Sequence, residues 1–192
     1  MILAFHKPYG VLSQFTPDGS PNRPLLEFQF PPKVYPIGRL DADSEGLLLL
    51  SDEAKWNARL LAPDNHVEKV YLVLVERLPS PQALESLEKG VLLDGKMTLP
   101  AKATLLDPQP IIAPRIPPVR VRKSVQDWWI ELKIREGKNR QVRRMTAAVG
   151  HPTIRLIRAA IGGFLLEGIA CGEWRALTPD EITRLQFPDR MA

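Results

Sequence analysis

The 192-residue chain is 44% apolar and 25% charged with a formal net charge of +4, an ordinary composition for a soluble protein with one core or two small ones. Its single cysteine, Cys171, excludes a disulfide framework and any cysteine-based metal knuckle, and no apolar run approaches a membrane span. Only five residues precede His6-Lys7-Pro8, too few for the apolar stretch of a signal peptide, so the expected setting is a reducing cytoplasm.

"MILAF" predicts a short buried strand, and the Pro- and Gly-rich residues 8–24 a loop. "GLLLLSDEAKWNARLLA" begins as an apolar strand. It then turns at Ser51-Asp52, expected to cap a helix with Trp56, Leu60 and Leu61 on one face. "EKVYLVLVE" alternates as a strand does, with Val70, Leu72 and Leu74 on one side and Tyr71, Val73 and Val75 on the other. "SPQALESLEKGV" has a serine cap, a proline in the first turn, leucines at 84 and 87 and a glycine stop, which predicts a helix. "LLDGKMTLPAKATLL" predicts a strand pair around Asp94-Gly95. Residues 107–118 hold five prolines and read as an ordered surface loop.

"DWWIELKIRE" predicts a strand and "GKNRQVRRMTAAVG" a helix ending at Gly150. Two short strand-like pieces and a capped final helix, "TPDEITRLQF", complete the chain. The pattern predicts an α+β fold with a mixed, mostly antiparallel sheet and flanking helices. No break in composition demands a separable domain, so residues 1–192 read as one domain, with room for two subdomains around a central cleft.

The net charge hides an asymmetry. Residues 115–158 hold twelve Lys and Arg against three acids, a net +9, whereas the remainder carries −5. A basic block in an otherwise acidic chain is an electrostatic footprint for a polyanion, the alternative being a solvated basic surface.

"GRLDADSEG", residues 38–46, places Asp41, Asp43 and Glu45 on alternate positions. With Gly46 and Asp52 they approach the spacing of a calcium loop, but the context does not fit. Three prolines stand where the entering helix belongs, and Leu49 replaces an oxygen ligand. Acids before an apolar strand are otherwise a solvated turn, which suits Asp43 and Glu45. Asp41 differs: in an extended chain Arg39 points to the same side as Asp41, opposite Leu40, and an arginine beside a carboxylate keeps it ionised and oriented.

"GRLDADSEGLLLLSDE" and "EGKNRQVRRMTAAVGHPTIRLIRAAIG", with "FHKPYGVLSQFT", "EKVYLVLVE" and "GEWRALTPDE", resemble in content and order the pseudouridine synthases, in the branch that modifies ribosomal RNA at single sites. The resemblance covers nearly the whole chain. It implies the pseudouridine synthase fold without the additional RNA-binding module that most relatives in this branch carry before the "KPYG" strand. It also implies Asp41 as the catalytic aspartate, Tyr71 stacking on the target base, Arg143 pairing with the catalytic carboxylate, and Leu156 as an apolar pocket residue. Arg39 is a further support of the site.

The implied reaction breaks the N–C glycosidic bond of a uridine, turns the base and rejoins it through carbon, without a cofactor. Asp41 is expected to attack the base, attack the ribose or remove a ribose proton, and the residues do not choose among these. A dyad with Asp43 is a further alternative. The implied partner is ribosomal RNA, 23S by resemblance, and the default state is a monomer.

The target uridine must leave its stack, and Tyr71 offers a flat face; its other reading is a core aromatic of the strand. Arg140, Arg143 and Arg144 follow i, i+3, i+4 spacing on one predicted helix face, with Val142, Met145 and Val149 on the apolar side. Lys7, Lys69, Lys138, Arg140, Arg144, Arg120 and Arg122 are the candidate phosphate contacts, the last two with Lys123 in a proline-stiffened loop over 108–123. Trp128 and Trp129 alternate, so at most one is available to stack on a base. His6, His66 and His151 show no triad or ligand spacing, and Ser44 has no nearby base. The rival reading of the chain is a non-catalytic RNA-binding assembly factor.

Overall fold

A computed structural model describes residues 1–119 and 125–185, and the chain divides into two compact units. The fold class is α+β, with an open, mixed, mostly antiparallel sheet and four helices among the described residues. None of those helices is long and apolar enough to cross a membrane.

The first unit comprises residues 1–67 and 158–192. It holds strands β1 (Ile2–Lys7), β2 (Tyr35–Ile37) and β3 (Glu45–Ser51) and helix α1 (Lys55–Leu61). Strand β1 pairs antiparallel with β3, and β2 with the other edge of β3. Strand β3 is buried at all seven positions. Its run of four leucines therefore needs no alternation: Leu47 and Leu49 pack with Ile2, Ala4, Trp56 and Leu60, while Phe5 of β1 meets Phe28 and Phe30 edge-on at 4.9 and 5.1 Å.

Ser51 and Asp52 do not cap α1. The Ser51 hydroxyl donates to the Met1 carbonyl and accepts from the Glu53 N–H, Asp52 pairs with the N-terminal ammonium, and the cap position is Ala54. Trp56 and Leu60 are buried as expected, but Leu61 is exposed.

The second unit, residues 68–157, holds β4 (Lys69–Glu76), α2 (Pro81–Lys89), β5 (Leu92–Leu93), β6 (Lys96–Met97), β7 (Lys102–Leu105), β8 (Asp127–Ile134) and α3 (Gln141–Ala148). Strand β8 lies between β4 and β7, and β5 and β6 form the hairpin expected at Asp94-Gly95. One face of this sheet, with Tyr71, Val73 and Val75 opposite Leu132 and Ile130, is buried; the other is half-exposed. Helix α2 begins as its sequence predicts, the Ser80 hydroxyl accepting the Ala83 N–H at 3.1 Å.

Strand β9 (Thr153–Ile161) starts in the second unit and ends in the first, where β10 (Phe164–Leu165), β11 (Trp174–Ala176) and α4 (Pro179–Arg184) follow. At nine residues β9 is far longer than the short pieces expected there. Helix α4 carries a full capping box between Thr178 and Glu181.

In the first unit β3 and the end of β9 touch at Gly46, whose φ is +105°. A side chain there would overlap the Arg158 carbonyl oxygen and stand 2.6 Å from its nitrogen. Gly46→Ala should therefore destabilise the protein by about 2 kcal/mol or more. Gly137→Ala, where a methyl group meets nothing, should be close to neutral; equal urea midpoints for the two variants would contradict this account.

Candidate active site

The sequence "GRLDADSE" folds as a tight turn. The Asp41 carbonyl accepts the Ser44 N–H at 3.0 Å, and β3 starts one residue later. The alternation expected of an extended chain runs from exposed Arg39 through buried Leu40 to half-buried Asp41 and stops there, because Ala42 and Asp43 form the turn. Two residues of the loop after β1 clamp this turn. The buried Ser13 hydroxyl accepts the Leu40 N–H at 2.9 Å and donates to the Leu40 carbonyl at 2.7 Å. The Gly10 N–H donates to the Ala42 carbonyl at 2.7 Å. Asp41 thus stands on backbone held from both sides.

Behind the turn lies a set of buried charges in the same unit. Lys7 is fully buried, so it is not the surface phosphate contact expected of it. Its ammonium donates to the Val11 carbonyl at 2.6 Å and the Pro8 carbonyl at 3.0 Å, which ties the loop after β1 back onto the strand. Glu45, expected in a solvated turn, is buried as well, and so is Arg158, whose Nε donates to the Leu47 carbonyl at 2.7 Å. Burial pushes the Lys7 pKa down from 10.5 to about 7. The Glu45 carboxylate opposes that shift, Arg158 adds to it, and Asp43 and Asp41 oppose it more weakly.

The remaining candidates lie in the second unit. Tyr71 sits on the buried face of β4, cross-strand from Leu132 and 8% exposed, and Leu156 is buried in β9. Arg143 is in the first turn of α3, half-buried, with Nη1 donating to the Thr153 carbonyl at the start of β9 (3.4 Å). Helix α3 starts at Gln141, one residue after Arg140. Arg140 adopts a left-handed conformation (φ +48°), so it is not the first member of a helical row with Arg143 and Arg144.

The cause is buried Gln141, which accepts the Lys138 N–H at 2.9 Å and donates to Glu136 at 2.6 Å, folding residues 136–141 into a compact loop. Lys138 pairs with Glu136 at 3.1 Å and Arg144 with Asp94 at 2.6 Å, so neither is a bare cation. Lys69 is half-buried at the start of β4. Arg120, Arg122 and Lys123 lie outside the described residues.

Sequence reasoning missed Ser13, Glu45 and Arg158 around the Asp41 turn in the first unit, and Gln141 at the start of α3 in the second. The one local signal was an arginine at the centre of the apolar run "LIRAAI". It also overcounted the basic surface, because Arg155 and Arg158, two of the twelve cations, are buried. Trp128 and Trp129 are both half-buried, on opposite faces of β8, and the Arg155 guanidinium lies over the Trp129 ring at 6.0 Å. Among the described residues no cluster of three ligating side chains could hold a metal, Asp41, Asp43 and Glu45 included.

Comparison with known proteins gives a consistent neighbourhood. A family model described as RNA pseudouridylate synthase matches residues 1–148. The ribosomal large subunit pseudouridine synthase E of Xanthomonas axonopodis pv. citri (strain 306) is 54% identical over 171 residues, 88% of this chain and 90% of that protein. The protein of the same name from Vibrio vulnificus (strain CMCP6) is 44% identical over 178 residues, 92% of this chain and 75% of its own length. A crystal structure of a pseudouridylate synthase superposes with a TM-score of 0.79 at 32% identity, covering 96% of this chain and 73% of that one.

Lys7 has a consequence for stability. Between about pH 7 and 10.5 the unfolded chain holds a proton on this residue that the folded protein has lost, so its contribution to stability rises with pH across that window. Urea unfolding at pH 7 and pH 9.5 should show the wild type gaining stability relative to Lys7→Met as pH rises. A difference between the two proteins that stays constant with pH would refute the assignment.

Proposed function

Because the chain belongs to the RNA pseudouridylate synthase family, we propose that it converts one uridine of 23S ribosomal RNA to pseudouridine, with Asp41 as the essential carboxylate and no cofactor. The observation that carries this reading is the Asp41 turn. Its half-buried carboxylate is borne on backbone that Ser13 and Gly10 clamp, the preorganised placement that a catalytic group requires. The choice of large-subunit RNA is supported by the names of the two relatives that match at 54% and 44% identity.

The reaction is an isomerisation. The bond from N1 of uracil to the ribose breaks, the base turns, C5 takes the place of N1, and the hydrogen lost from C5 is balanced by one gained at N1. Asp41 acts on the base or on the ribose; Tyr71 supplies the flat face against the uracil, and Arg143 is the guanidinium partner of Asp41. Leu156 lines the apolar wall of the pocket. Lys69, Lys138, Arg140 and Arg144 meet phosphates, contacts that bind strongly but carry no sequence information. Lys7 is excluded from that set by its burial. Its part is to hold the loop that clamps the turn.

The test is pseudouridine mapping on unmodified 23S and 16S transcripts, treated with wild-type protein and with Asp41→Ala. One new site in the 23S transcript, made by the wild type alone while Asp41→Ala still folds and binds RNA, is the expected result. Turnover by Asp41→Ala would sink the catalytic assignment, and a site in 16S instead would overturn the choice of RNA. RNA that binds the wild type and stays unmodified would identify a binding factor.

A further inference from the structure

The second unit contains a feature that neither the fold nor the proposed chemistry needs. The most exposed large apolar side chains among the described residues are Ile111 and Ile116, at 105% and 89% exposure; the next, Leu26, reaches 69%. Both stand on the loop between β7 and β8, where a floppy connection would bury or scatter them. The loop is instead tied down. The Gln109 side chain accepts the Trp129 N–H at 2.6 Å and donates to the Trp129 carbonyl at 3.2 Å, extending the edge of β8 with side-chain bonds. Further along, Arg155 donates from Nη1 to the Ala113 carbonyl at 2.8 Å while its guanidinium lies over the Trp129 ring. Prolines at 108, 110, 114, 117 and 118 stiffen the backbone between and beyond these ties. A rigid mount for two water-exposed isoleucines marks a contact surface rather than scattered surface apolarity.

The charge of the sequence it belongs to selects the partner. From residue 108 to residue 126 the chain has no acid, and it carries Arg115, Arg120, Arg122 and Lys123. An apolar pair in a purely cationic stretch is complementary to a polyanion that also offers apolar faces, and unpaired RNA bases are such faces.

We propose that the loop over residues 106–119 is an RNA-reading arm, in which Ile111 and Ile116 pack against unstacked bases of a loop or junction of the substrate RNA. This rests on the reading that the protein modifies ribosomal RNA, and it adds a contact outside the residues that perform the chemistry. Apolar side chains inserted at base steps are an established way for proteins to hold a nucleic acid open. An arm of this kind would help to keep the target segment unstacked while the uridine is displaced. Gln109 and Arg155 are positioning residues for the arm.

The experiment uses the full chain and the double variant Ile111→Ser/Ile116→Ser, two exposed positions whose change leaves the core intact. Affinity for the 23S transcript is measured at two salt concentrations, and kcat and KM are measured for pseudouridine formation. The expected result is a loss of about ten-fold in affinity and a similar rise in KM, the scale of one base-stacking contact, with kcat and the salt dependence unchanged. Affinity and KM equal to wild type would overturn the proposal. So would a loss seen only on ribosomal precursor particles, which would make the arm a docking site for a ribosomal protein. Binding is read directly, so the arm is tested even where the wild type converts no uridine; that outcome would sink the isomerase reading alone.

Discussion

The structure around Asp41 depends on a lysine that has no access to water. An ammonium inside a protein must donate its hydrogens to something, and Lys7 donates to the carbonyls of Val11 and Pro8. Those bonds fold the chain after β1 back on itself. Gly10, inside the fold so made, donates to Ala42, and Ser13, just beyond it, exchanges two hydrogen bonds with Leu40. The aspartate turn therefore inherits its position from a lysine buried beneath it. Removing the lysine would free two carbonyls and loosen the loop that holds the turn, with no change in any residue that touches a substrate.

This arrangement is costly in isolation, as the Lys7 pKa of about 7 shows. It persists because the burial is shared. Glu45 acts on the same ammonium with opposite charge, and Arg158 satisfies the Leu47 carbonyl while its own backbone presses on Gly46. Lysine, glutamate and arginine come from β1, β3 and β9, three successive strands of the sheet. An apolar trio could fill the same volume with more stability, but it would not hold the loop carbonyls. The value of the buried charges is geometric.

The elements were legible in the sequence where local physics decides them. The Ser80 cap, the capped start of the final helix and the alternation of β4 are each contained within a few residues, and each forms as read. Where long-range packing decides, the reading failed in a regular way. "SDEAKW" resembles a capped helix start, but Ser51 and Asp52 are drawn instead to Met1, fifty residues away. Arg140 belongs by spacing to a helical row, but the buried Gln141 side chain holds the preceding residues in a loop and starts the helix later. Glu45 and Lys7 look like surface charges because the strands that bury them come together only in the fold, even though Lys7 donates to carbonyls as near as Pro8 and Val11. The motif around Asp41 was visible by contrast, since "GRLD" is local and its resemblance extends along nearly the whole chain, but the Ser13 and Gly10 bonds that hold its turn come from residues about thirty positions away and were not.

The basic block was the least faithful guide, and its failure bears on how RNA would be held. Arg155 and Arg158 are spent inside the protein on the carbonyls of Ala113 and Leu47. Lys133, Arg135, Lys138 and Arg144 have acidic neighbours within 3.0, 3.5, 3.1 and 2.6 Å. Exposed pairs of this kind contribute no more than about 1 kcal/mol each, since salt and water compete for both ions. Asp94 is 80% exposed, so Arg144 can exchange it for a phosphate at little cost. The surface cations are in this way kept placed by weak, replaceable partners, and the arginines that must not move are buried. Burial separates the cations that hold backbone in place from those left at the surface, a division that a count of lysines and arginines along the sequence cannot express.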